Sequence, residues 1–106
     1  MAAHATHMRT DLQKRLRAIR FYCDTWLKYG DNQTAFSEWL GIDKKSWHGY
    51  ETTGNNLPVP VARILKKKVP GLRIEWIYDG EAGLMPLDMV TTLSKLLEAE
   101  DMQDAL

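Results

Sequence analysis

Apolar residues return every three or four positions through most of this chain, the repeat of α-helices packed on one face. From Thr10 onward Leu12, Leu16, Ile19, Cys23, Trp26 and Leu27 share a helical face, Lys14, Arg15, Arg17 and Lys28 lie off it, and Gly30 ends the run. Asp31 and Asn32 suit a helix cap or turn, and Phe36, Trp39 and Leu40 predict a short helix over 33–40 that Gly41 stops. After Ile42, Asp43 is placed to cap a third helix with Trp47, Tyr50 and Glu51 inward, and Gly54, Asn55 and Asn56 form the loop beyond. Pro58 and Pro60 open a fourth helix, with Val61, Ile64, Leu65 and Val69 inward and Lys66, Lys67 and Lys68 on the open side. Pro70 and Gly71 terminate it. A short segment over 73–79 sets Ile74, Ile77 and Tyr78 on one side before Gly80 breaks it. Pro86 opens a last helix whose apolar set is Leu87, Val90, Leu93, Leu96 and Leu97. Strict alternation is missing throughout, so the predicted architecture is all-α.

Composition narrows the class. A chain of 106 residues with four Trp and four Tyr fills one modest core, so one domain with short tails is expected. The stretch over 1–9 is small and polar and is expected to be disordered; it lacks the apolar core of a secretory signal, and no apolar run is long enough for a bilayer. A cytoplasmic location follows. The lone Cys23 excludes an internal disulfide and, on an apolar stripe, is expected to be buried and inert.

Charge cancels overall but not locally. Residues 1–73 carry 13 basic side chains against six acidic ones, whereas from residue 74 onward Lys95 stands alone against eight acids. The first stretch is suited to phosphates and the second is repelled by them.

Two short helices joined by a few residues containing glycine make a helix-turn-helix, in which the second helix lies in the major groove of DNA. Here the join is Gly41, Ile42 and Asp43, where glycine permits the sharp backbone turn and Ile42 plugs the angle between helices. The run QTAFSEWLGIDKKSWHGYE resembles the Cro/CI-type (Xre) family of phage and bacterial regulators. The shared features are Gln33 opening the second helix, Leu40-Gly41-Ile42 at the turn, and Tyr50-Glu51 closing the third helix. The later run GLRIEWIYDGE is similar to the end of the five-helix domain of phage-repressor-like members.

Apart from the additional C-terminal helix over 86–106, which lies outside the common pattern, this resemblance implies a five-helix lambda-repressor-like DNA-binding domain over 10–81. It also implies binding of a palindromic double-stranded operator by a homodimer acting as a transcriptional regulator, most simply a repressor, at the nucleoid. Carried over position by position, Gln33 binds a phosphate at its helix start, and Lys44, Lys45, Ser46 and His48 are the base-reading set. Asn55, Asn56, Lys66 and Lys67 are further phosphate candidates. Three departures stand out: Gly49 lacks the contacting side chain many members carry, Trp47 replaces a small aliphatic residue, and Gly54 comes one residue late.

Leu93, Leu96 and Leu97 are the candidates for a dimer seam, with packing on the chain's own body as the alternative. Trp26, Trp39, Trp47 and Trp76 read as core rather than base-stacking platforms. Ser46 and His48 are two positions apart and project to different sides of a helix, so Ser46, His48 and Glu51 make no triad and no enzyme is expected. His4, His7 and Asp11 do not complete a metal site, and no cofactor, small-molecule substrate or membrane partner is expected. A protein-interaction module on the same fold and an antitoxin that represses its own operon are the competing functions.

Overall fold

In a computed structural model, residues 10–27 and 32–105 are described, with the side chains of residues 25–27 and 103–105 left aside. The expected tail over 1–9 with His4 and His7, the inward side chains of Trp26 and Leu27, and Lys28, Gly30 and Asp31 therefore lie outside the described set. Six helices and no strand occur among the described residues: α1 (Asp11–Leu27), α2 (Gln33–Leu40), α3 (Lys44–His48), α4 (Val59–Lys68), α5 (Ile74–Asp79) and α6 (Leu87–Ala105). None is long and apolar enough to cross a membrane.

Local chemistry sets the helix starts. Thr10 and Gln13 form a reciprocal box, with Gln13 N–H donating to Thr10 Oγ1 at 3.2 Å and Thr10 N–H to Gln13 Oε1 at 2.7 Å. Pro58 caps α4 and Pro60 follows in its first turn, where a missing N–H costs no helical bond. Gly80 closes α5 in the left-handed region at φ 77°.

One core binds the elements together. Leu16, Ile19 and Cys23 of α1 meet Phe36 and Leu40 of α2, Trp47 of α3, Ala62 and Leu65 of α4, Trp76 and Ile77 of α5, and Met89 and Leu93 of α6. Trp47 is fully buried with its ring edge-on to Phe36, centroids 5.2 Å apart. Truncating such an aromatic to Ala costs about 3–5 kcal/mol.

Two features were not expected from the sequence. The basic side chains off the apolar face of α1 are partly covered, because α6 folds back along α1 and α5 packs beside it. Lys14 pairs with Asp101 at 2.9 Å and Arg17 Nε with Glu100 at 2.9 Å, while Arg15 donates to the carbonyls of Ile77 and Tyr78 at 2.8 and 2.7 Å. Those carbonyls stand at the C-terminal end of α5, which leaves them without a helical donor and draws cations. The acidic second part of the chain thus neutralises cations of the first.

The buried stripe of α6 is also rotated from the expected one. Leu87 is 78% exposed, whereas Met89 joins Leu93 in the core and Val90, Leu96 and Leu97 pack partly against it. Leu87 comes directly after Pro86 at the start of the helix, and the phase that buries Met89 and Leu93 also buries Glu100 against Arg17.

Candidate nucleic-acid interface

The element α2, turn and α3 is fixed by capping at three points. Asn32 Oδ1 accepts the N–H of Ala35 at 3.1 Å and starts α2. Gly41 then takes φ 77°, and the N–H groups of Gly41 and Ile42 reach back to the carbonyls of Glu38 and Ser37 at 3.0 and 2.9 Å. This closure satisfies carbonyls that α2 would otherwise leave open. Asp43 Oδ2 accepts the N–H groups of Lys45 and Ser46 at 3.1 and 3.2 Å, starting α3. Ile42 packs partly against the core, as expected of the residue at the angle.

Beyond His48 the backbone widens into a π-helical turn over Gly49–Thr53, ended by Gly54 at φ 83°. The turn carries Glu51 inward to a buried cluster. Arg20 Nη2 lies 2.7 Å from Glu51 Oε1 and Arg20 Nε 2.9 Å from Oε2, which also accepts Trp47 Nε1–H at 2.8 Å. Arg17 Nη1 stands 3.7 Å from the same carboxylate. At 1% exposure, Glu51 has these donors around its carboxylate, which offset the cost of burying it. The pair therefore holds the end of the third helical segment against α1.

On the outer side Lys44, Lys45 and His48 are exposed, and Ser46 is half-buried. Gln33 and Thr34 of α2 join Lys44, Lys45 and His48 around an open hollow of about 300 Å³. Among the described residues its wall carries two cations and no carboxylate, which favours an anionic or electron-rich occupant. The Gln33 amide spans two neighbours, its Nε2 donating to Thr52 Oγ1 at 3.3 Å and its Oε1 lying 3.1 Å from His48 Nδ1.

The other expected residues are not among those that line this hollow. Asn55 and Asn56 are exposed, and the Asn55 amide lies over Gly49, where a Cβ would stand 2.4 Å from Asn55 Nδ2. Gly49 is therefore no mere gap in the reading surface: it is buried, and the Asn55 side chain occupies the space above it. Lys66 and Lys67 are exposed at the end of α4, and Lys68 Nζ sits 5.5 Å from the Trp39 ring centroid. Leu93 is buried in its own core at 1% exposure, with Leu96 and Leu97 half-buried on the same face.

Sequence reasoning omitted Thr34, Thr52 and Arg20. Thr52 stands one helical turn after His48, so spacing offered a signal for it. Nothing local marked Arg20 as the partner of Glu51, 31 residues away.

No protein-family model matches the chain, and comparisons with curated proteins and with solved structures give no significant match.

Proposed function

We propose that this chain is a sequence-specific double-stranded DNA-binding protein of the Cro/CI-type (Xre) class, with a lambda-repressor-like domain and a role in transcriptional regulation. The observation that carries the reading is the paired, exposed Lys44 and Lys45 in the first turn of a capped α3, opening with Gln33, Thr34 and His48 onto one hollow. In this arrangement α3 enters the major groove and its lysines donate to guanine O6 and N7. Gln33, at the start of α2, takes a backbone phosphate together with the open amides there, and Asn55, Asn56, Lys66 and Lys67 flank the duplex. One such helix reads only a few base pairs, so a homodimer on a palindromic operator supplies the rest.

A second reading, a protein-interaction module on the same fold, is favoured by the cations of α1 that Glu51, Glu100 and Asp101 already engage. Salt titration of binding to duplex DNA separates the two. For DNA binding, the affinity falls steeply as salt rises, with a log–log slope of about −0.9 per phosphate engaged. Lys44→Ala combined with Lys45→Ala weakens binding by about tenfold or more at fixed salt. Absence of any binding at low salt refutes the DNA reading, and unchanged affinity and base preference in the double variant removes these lysines from the interface.

A further inference from the structure

We infer that Gln33 fixes His48 in a single tautomer, making His48 a hydrogen-bond acceptor that selects cytosine or adenine in the DNA site. The inference rests on the DNA-binding reading and adds which base His48 recognises and why.

The argument begins with the amide. Gln33 Nε2 is turned toward Thr52 Oγ1 and Gln33 Oε1 toward His48 Nδ1, at 3.3 and 3.1 Å. A carbonyl oxygen only accepts, so the hydrogen in the second contact belongs to His48 Nδ1. A neutral imidazole carries one ring hydrogen, and with that hydrogen on Nδ1 the other nitrogen, Nε2, has a free lone pair. His48 is exposed and borders the hollow beside Lys44 and Lys45, so the side chain that carries this lone pair belongs to the wall where DNA would sit.

The neighbouring groups give this acceptor its meaning. Lys44 and Lys45 only donate, and the Asp43 carboxylate is occupied in capping α3. Neutral His48 therefore adds a ring acceptor beside a pair of obligate donors. In the major groove donors meet guanine, whereas an acceptor meets the amino group of cytosine N4 or adenine N6. His48 follows Lys45 by three residues and Lys44 by four, about 4.5–6 Å along a helix. With base pairs about 3.4 Å apart, the amino base falls within about two steps of the guanine that a lysine reads. Thr52 belongs to the same unit, because its Oγ1 accepts from the Gln33 amide.

The test measures tautomer and base choice separately, at pH 8.5. Nitrogen-15 NMR of the free protein reports which ring nitrogen of His48 bears hydrogen, and the Nδ1–H form is expected. Gln33→Met removes the acceptor and shifts that population toward Nε2–H. Selection from a randomised duplex pool is then run with the wild type, Gln33→Met and His48→Lys. The wild type selects cytosine or adenine at one position per half-site. Gln33→Met loses about fivefold to tenfold of that discrimination, and His48→Lys turns the same position toward guanine. Circular dichroism confirms that the variants are folded.

An Nε2–H tautomer in the wild type overturns the inference, as does unchanged base choice in His48→Lys, and both leave salt-dependent DNA binding intact. Failure to retain any duplex at low salt overturns the DNA-binding reading itself and the base assignment with it.

Discussion

Glu51→Gln tests how the third helical segment is held. The substitution preserves shape and leaves one oxygen able to accept from Trp47 Nε1–H, but it removes the charge and sets an amide NH₂ among donors. Arg20, 4% exposed, then loses the carboxylate that accepts from both its Nε and Nη2 in the interior. Breaking one side of a buried pair costs about 3–5 kcal/mol. A domain of this size holds about 5–15 kcal/mol in total, so a large share of stability is lost. In urea denaturation followed by circular dichroism, the midpoint falls at constant slope, and the thermal midpoint drops by roughly 12–40 °C. Adding Arg20→Met removes the cation that faced Glu51 and recovers at least about 2 kcal/mol of the loss, because a buried pair exchanged for apolar groups is often close to neutral. A loss under about 1 kcal/mol for Glu51→Gln, or no recovery in the double variant, refutes the view that this pair is a fully coupled interior unit.

Gly49→Ala places a methyl 2.4 Å from Asn55 Nδ2, the far end of an exposed side chain. Asn55 swings aside, alanine raises helical preference by up to about 1 kcal/mol, and duplex affinity falls; a melting curve showing more than about 1 kcal/mol of destabilisation contradicts this. Gly41→Ala meets no atom within 4 Å but must adopt φ +77°, so chemical denaturation should register a cost of about 1 kcal/mol, and no change would remove the need for glycine at the turn. Burial pushes the Cys23 thiol up to about 12, so at pH 8 only about one molecule in ten thousand carries the thiolate. A disulfide reagent should label Cys23 in denaturant and leave the folded protein untouched for minutes; immediate stoichiometric labelling of the native state would show the site to be open.

What could be read from the residues was local. Asn32 and Asp43 cap where expected, Gly41 takes the left-handed turn, and Trp47 with Glu51 faces inward, because each depends on neighbours within one helical turn. Long-range pairing was not legible. Lys14, Arg15 and Arg17 fit a solvated flank by period alone, since long basic side chains lie along apolar surface and still present their charge. Only the return of α6 reveals that Glu100 and Asp101 face them. The helix α6 starts after Pro86 as expected, but Leu87 was placed inward because Leu87, Met89 and Val90 support two phases of one apolar stripe, and tertiary contacts chose the one that exposes Leu87. Gly49 read as a missing side chain because the approach of Asn55 depends on the π-helical turn, which no residue pattern announces.

The pairing of Arg17 with Glu100 has a consequence for how the protein is made. The two partners are separated by 83 residues, and synthesis at about 5–20 residues per second spaces their appearance by roughly 4–17 s. During that interval α1 has left the ribosome while the helix that covers its flank has not been translated. Contacts of such long sequence separation also slow folding, because their loop must close before they stabilise anything. The nascent α1 therefore spends seconds with an uncovered cationic flank before its own last helix is there to cover it.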